Sequence, residues 1–153
     1  MNPISPSRRS VVVQTIAMAA VGAASPSAVA GATNKSPDRS AYRVTFQVSD
    51  ADPSKWNLTL NNVRNAVHEL GVENTKVEVV AFGPGIGMLM AAADLAGRVA
   101  DAVKAGVAVF ACENTMRGQQ LTREQMNPHI GYVPSGVAHL IRRQSEGFAY
   151  IRA

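Results

Sequence analysis

The chain has very little cysteine, and its acidic and aromatic residues are unevenly distributed. One cysteine among 153 residues excludes an internal disulfide and a zinc site built from cysteine pairs. Residues 1–34 contain no acidic or aromatic residue, so all 11 acidic residues lie farther along the chain. A length of 153 residues also leaves little room for a second full-sized domain. The composition therefore separates a short first segment from one domain-sized remainder.

The first segment has the three-part pattern of a secretory signal peptide. Paired arginines give a positively charged start, residues 11–24 form a mildly apolar run, and Ala28 and Ala30 form an A-x-A ending. The run is shorter than the ~20 apolar residues that a membrane span needs. We therefore expect residues 1–30 to be removed as a signal peptide, leaving a flexible leader over residues 31–41 and no stable membrane anchor.

The arginine pair, Arg8 and Arg9, resembles a twin-arginine export signal, which is an address that a receptor reads. A general secretory signal that happens to carry two arginines is the alternative, and either signal places the mature protein in a bacterial periplasm. Loss of the pair lowers the formal net charge from +4 to +2, because 13 basic and 11 acidic residues remain. No cluster of basic and aromatic residues is left, so we expect no nucleic-acid binding.

The remaining chain alternates between predicted strands and predicted helices. Strands are predicted where β-branched and aromatic residues cluster, at residues 42–49, 76–82, 107–112, 130–133 and 148–151. Helices are predicted from Ser54 to residue 70, over 95–105, from residue 114 or 115, and from Ser135 to residue 146, with short helical turns at 88–93 and 122–126. Strands separated by helices indicate parallel βαβ units. We therefore predict an α/β domain with helices on both faces of a mostly parallel five-stranded sheet.

Three features are predicted to meet at the carboxyl edge of this sheet, where ligand sites of such folds gather. They are Ser49 and Asp50 after the first strand, a glycine turn at residues 83–87 after the second, and Cys112 after the third. We expect a pocket beside the cysteine, lined by Gly83, Pro84, Gly85, Asn114, Thr115 and Arg117. The glycine turn either binds an anion through its N–H groups or serves only as a tight turn, and it lacks the P-loop lysine and the GxGxxG spacing.

Cys112 ends a nearly continuous apolar strand just before a predicted helix. Unpaired N–H groups and the dipole at a helix start favour a thiolate, Arg117 would add positive charge, and Glu113 would oppose it. The alternative is a structural cysteine that packs as a small hydrophobe. His68, His129 and His139 have no metal-ligand spacing and no visible link to the cysteine, so neither a metal site nor a cysteine–histidine hydrolase is expected.

Three passages together resemble the DsrE/DsrF-like family of sulfur-oxidation proteins. They are AFGPGI at residues 81–86, VAVFACENTMRGQQLT at residues 107–122, and VPSGVAHLIRRQSEGFAYI at residues 133–151. The resemblance implies a three-layer α/β/α sandwich over residues 42–153 that assembles as a homotrimer or homohexamer. The best-understood members of the family carry sulfur as a persulfide on a cysteine after the third strand, and Cys112 matches that position.

Together with the export signal, the resemblance implies a periplasmic sulfur carrier, at most a sulfurtransferase-like enzyme, that takes up sulfane sulfur as a persulfide on Cys112. Its partners would be a sulfur donor or acceptor protein or a small sulfur compound, and no cofactor is expected. The alternative function is a non-enzymatic binding or assembly module, which holds a small anion or nucleotide and in which the cysteine is structural.

Overall fold

The structure is a computed structural model that describes residues 40–153, and it has strands and helices in alternation. The strands are β1 (Tyr42–Val48), β2 (Thr75–Ala81), β3 (Ala108–Cys112), β4 (Gly131–Val133) and β5 (Ala149–Arg152). The α-helices are α1 (Pro53–Leu70), α2 (Ala96–Lys104), α3 (Glu113–Gly118) and α4 (Gly136–Ser145). Short 3₁₀ helices lie at Val72–Asn74, Gly83–Leu89 and Arg123–Gln125. The predicted signal peptide and residues 31–39 of the predicted leader lie outside the described residues.

The strands form one five-stranded sheet in the order β4-β3-β2-β1-β5. Every neighbouring pair is parallel, with Phe46 opposite Val79 between β1 and β2 and Glu78 opposite Ala108 between β2 and β3. The carboxyl ends of all strands therefore meet at one edge. The predicted parallel sheet is confirmed, and β2 lies at its centre.

Helices cover both faces of the sheet because successive strand side chains point to opposite sides. On one face, Phe46 and Val79 pack with Leu60 and Val63 of α1 and with Val99 of α2. On the other face, apolar strand residues pack against Leu140 of α4 in a smaller cluster, which comprises Val80, Val133, Leu140, Phe82 and Phe110. The domain is thus an α/β/α sandwich, as predicted. No helix within residues 40–153 is long and apolar enough to cross a membrane.

The helix starts follow their capping residues, with two corrections to the predicted starts. Asp52, not Ser54, is the N-cap of α1, and its carboxylate accepts a 2.8 Å hydrogen bond from the Ser54 N–H. Pro53 suits the first helical position because its fixed φ matches the helix and no N–H is needed there. The helix α3 begins at Glu113, so that Cys112 itself occupies the N-cap position.

Candidate functional site

Cys112 lies at the carboxyl edge of the sheet, on the face that α4 covers. Its side chain is a free thiol that is 4% exposed. The Sγ atom accepts a 3.2 Å hydrogen bond from the N–H of Gly136, the first residue of α4. Because α3 follows Cys112 directly, the sulfur lies at the starts of two helices.

The thiol of Cys112 is surrounded by hydrogen-bond donors. Burial acts to raise its pKa, yet the pKa lies below the ordinary value because the donors together outweigh burial. They are the N–H of Gly136, the hydroxyl and N–H of Thr115, and the N–H of Asn114. All of them favour the thiolate, which is the nucleophilic form of cysteine.

The two charged side chains that flank the site have other partners. Arg117 is exposed and donates to the side-chain oxygen of Asn114. Glu113 forms a 2.7 Å ion pair with Arg123. Neither charge is among the groups that shift the pKa of Cys112. The thiolate is therefore favoured by backbone and hydroxyl donors instead of a cationic side chain.

The glycine turn contacts the cysteine segment through one residue. The N–H of Gly83 donates a 2.9 Å hydrogen bond to Oγ1 of Thr115, and its carbonyl oxygen accepts from Gln119 at 3.2 Å. Thr115 therefore connects the turn with Cys112. Of the six predicted pocket residues, the structure brings Gly83, Asn114 and Thr115 to the site.

The rest of the glycine turn has a structural role. A Cβ atom on Gly85 would lie 2.4 Å from the carbonyl oxygen of Val48, so that only glycine fits where the turn crosses the end of β1. Pro84 is exposed on the surface of the turn. These contacts favour the tight-turn interpretation over an anion site.

Asp50 at the end of β1 stabilises the sheet edge. Its carboxylate lies 3.2 Å from Arg152 and 3.5 Å from Lys55, and its carbonyl oxygen accepts a 2.6 Å bond from the Trp56 indole. The hydrogen bond from Arg152 is the main cause that lowers the pKa of Asp50. Asp50 thus joins β1 to α1 and β5.

Two cavities lie away from Cys112. One of about 310 Å³ lies between α1 and α2, and an open one of about 440 Å³ lies beside Trp56 and Met90. Neither is lined by Cys112 or by any of the six predicted pocket residues. In the part of the chain that the structure describes, no group of three or more His, Cys, Asp or Glu side chains could hold a metal ion.

A charged cluster that was not predicted from the sequence lies under α4, and we call it the Glu78 cluster (Glu78, His139, Arg143). Glu78 in β2 is 1% exposed, and its Oε2 atom lies 2.8 Å from His139 Nε2 and 2.8 Å from Arg143 Nε. A glutamate between valines in a central strand was a usable signal, because a buried carboxylate needs partners. The two partners stand four residues apart on the last predicted helix.

Known structures share this fold. The protein of unknown function MTH1491 from Methanobacterium thermoautotrophicum is 37% identical with a TM-score of 0.70, over 73% of this chain and 99% of that chain. The ychN protein from E. coli is 10% identical with a TM-score of 0.59, over 73% and 99% of the two chains. The protein BT1422 of unknown function from Bacteroides thetaiotaomicron is 13% identical with a TM-score of 0.59, over 72% and 93%.

No protein with a curated description matches the chain. The DsrE/DsrF-like family model matches residues 42–153, a range that contains every strand and helix described above and includes Cys112. The three passages at residues 81–86, 107–122 and 133–151 all lie inside this match. The chain therefore belongs to the DsrE/DsrF-like family.

Proposed function

We propose that this protein is a sulfur carrier or sulfurtransferase-like protein that holds sulfane sulfur as a persulfide on Cys112. The observation that carries the proposal is the set of donors around Sγ, with the Gly136 N–H at 3.2 Å. A thiolate stabilised in this way attacks sulfane sulfur, and its product, a persulfide anion, is stabilised by the same donors. The position of Cys112 after the third strand is also that of the sulfur-carrying cysteine in the family.

Loading requires no external oxidant or reductant. The Cys112 thiol first gives its proton to water, and the thiolate then attacks the outer sulfur of a donor such as thiosulfate or another persulfide. A new S–S bond forms, the S–S bond of the donor breaks, and the donor leaves with the electron pair as sulfite or a thiolate. In unloading, an acceptor thiolate attacks the outer sulfur, and Cys112 leaves as a thiolate.

Intact mass spectrometry tests this proposal. After incubation with thiosulfate or polysulfide, we expect the wild-type protein to gain the mass of one sulfur atom and Cys112→Ser to gain none. The serine variant is a matched control because Cys112 is the sole cysteine of the chain. Equal gain in both proteins, or no gain in either with both donors, would refute the proposal.

A second candidate is a binding or assembly module for a small anion or nucleotide, and the 4% exposure of Cys112 favours it. In that case the folded protein resists alkylation by iodoacetamide. Thermal stabilisation by an added nucleotide or phosphate then persists in Cys112→Ser. Rapid labelling of the native thiol at neutral pH contradicts this candidate.

We further propose that the mature protein works in a bacterial periplasm, on the basis of the N-terminal sequence pattern. The mass of the protein recovered from the periplasmic fraction then corresponds to a chain that begins at Gly31. Replacement of Arg8 and Arg9 by lysine blocks export if the signal is of the twin-arginine type and leaves general secretion unaffected. An uncut chain confined to the cytoplasmic fraction contradicts the location.

A further inference from the structure

The donors around Cys112 are held in place in two different ways. Asn114 and Thr115 follow the cysteine by two and three residues, so the start of α3 fixes them locally. Gly136 is 24 residues away from Cys112 and reaches Sγ only because α4 lies against the sheet. The contacts that hold α4 in place therefore control this donor.

The inward face of α4 contains little apolar surface. Gly136, His139, Leu140 and Arg143 share this face because they are three, four and seven residues apart. Among them only Leu140 belongs to the apolar cluster on this side of the sheet. His139 and Arg143 instead contact the carboxylate of Glu78. Polar contacts with one strand residue are thus a large part of what fixes the helix.

The Glu78 cluster also contacts the strand that carries the cysteine. The ring of His139 lies 5.1 Å from the ring of Phe110, which is two residues before Cys112 in β3. Arg143 donates from Nη1 to Glu146 at 2.6 Å, in addition to its 2.8 Å bond with Glu78. Since a buried carboxylate is stable only with its partners in place, Glu78 constrains the side chains of His139 and Arg143 on α4.

We propose that Glu78 is a positioning residue for Cys112: through His139 and Arg143 it fixes α4 so that the Gly136 N–H meets Sγ. Glu78 is opposite Ala108, four residues before Cys112, and is therefore roughly 13 Å from the cysteine along the strand direction. It acts through the helix and not by touching the sulfur. This inference rests on the proposed function, in which the Cys112 thiolate is the reacting group.

Because of the charges around the site, a change in the Cys112 pKa on replacement of Glu78 has opposite signs for a direct charge effect and for a movement of α4. Glu113 is paired with Arg123, while Arg43 and Lys76 lie 5.5 and 5.8 Å from the Phe148 ring centre, on the side of the Glu78 cluster. Removal of the Glu78 carboxylate leaves more positive charge there, which by itself lowers the thiol pKa. Loss of the aligned Gly136 N–H raises that pKa.

The test is the pH profile of alkylation of Cys112 by iodoacetamide. In Glu78→Gln we expect the midpoint to rise by roughly half a pH unit to one unit, because the amide is uncharged and holds α4 less firmly. The matched control is Glu146→Gln, which removes an exposed carboxylate from the same Arg143 and leaves the midpoint unchanged. An unchanged or lowered midpoint in folded Glu78→Gln, or an equal rise in the control, overturns the inference.

A second variant covers the case in which Glu78→Gln does not fold, as judged by circular dichroism. His139→Asn keeps the ion pair between Glu78 and Arg143 and removes one of the two contacts, so we expect a smaller rise in the same direction. No rise in this folded variant overturns the inference. If the alkylation midpoint rises in the variants but the wild-type protein forms no persulfide, only the proposed function is refuted. If the wild-type protein forms a persulfide but the midpoint does not rise in the variants, only the positioning role is refuted.

Discussion

Burial and hydrogen bonding shift the pKa of the Cys112 thiol in opposite directions. A cysteine that is 4% exposed in apolar surroundings would have a raised pKa and little reactivity. The donors at the starts of α3 and α4 reverse this effect of burial. At a pH below the pKa, each unit by which the pKa falls increases the thiolate fraction about tenfold. The buried thiol thereby has a larger thiolate fraction than an ordinary cysteine at the same pH.

The hydroxyl of Thr115 is the one side-chain donor among the groups that lower the Cys112 pKa. In Thr115→Val we expect the thiol pKa to rise by roughly half a unit, because burial then opposes fewer donors. Below the pKa, alkylation by iodoacetamide therefore slows about threefold at fixed pH. Thr115→Ser keeps the hydroxyl and serves as the control. If the valine and serine variants have the same pH midpoint, the hydroxyl does not stabilise the thiolate.

The site residues that could be predicted from the sequence are those that lie near the cysteine in the chain or at the ends of neighbouring strands. Asn114 and Thr115 follow from the helix start after Cys112, and Gly83 follows from the shared edge of parallel strands. Gly136 could not be predicted, and Glu78 could be recognised only as a buried carboxylate that needs partners, since the positions of both relative to Cys112 depend on which face of the sheet α4 covers and where it crosses β2. Those properties are set by packing between distant segments.

At the scale of secondary-structure elements, the boundaries of helices and strands depend on local sequence, whereas the contacts between elements depend on packing. The parallel direction of the strands was predictable because strands alternate with helices, whereas the strand order β4-β3-β2-β1-β5 comes from the structure. The start of α1 was predicted at Ser54, but Asp52 caps the helix because Pro53 can occupy its first position. The glycine turn was recognised in the sequence, whereas its close approach to β1 is visible only in three dimensions.

The close approach of Gly85 to β1 predicts a stability effect. A Cβ atom at this position would lie 2.4 Å from the Val48 carbonyl oxygen, and backbone on both sides must move to relieve the contact. We expect Gly85→Ala to lower the free energy of unfolding by roughly 1–3 kcal/mol in urea denaturation.

Gly97 in α2 provides the matched control for Gly85. A Cβ atom there would have no neighbour within 4 Å, and alanine favours a helix more than glycine does. Gly97→Ala should therefore raise the free energy of unfolding by up to about 1 kcal/mol. Equal effects of the two substitutions would show that the contact with Val48 is not tight.

At the scale of the whole molecule, the outward surface of α4 carries an apolar pair four residues apart. Val137 and Ile141 are 53% and 59% exposed, although residues of this type are usually buried. The pair lies on the same helix that supplies Gly136 to the cysteine. Since the family resemblance implies a trimer or hexamer, we propose that these side chains are covered by a second copy of the chain.

This assembly predicts a specific dependence on Ile141. We expect the mature protein to sediment as a trimer or hexamer, and Ile141→Glu to shift it to monomers, because a buried interface does not tolerate an unpaired carboxylate. Arg142→Glu also places a carboxylate on an exposed position of α4, but one that does not share the face of Val137 and Ile141, and it should leave the sedimentation velocity unchanged. A monomeric wild-type protein excludes the assembly, and an oligomer that survives Ile141→Glu excludes α4 as its interface. If the interface also holds α4 in place, the monomeric variant will have a raised Cys112 pKa, since the Gly136 N–H is then less firmly aligned.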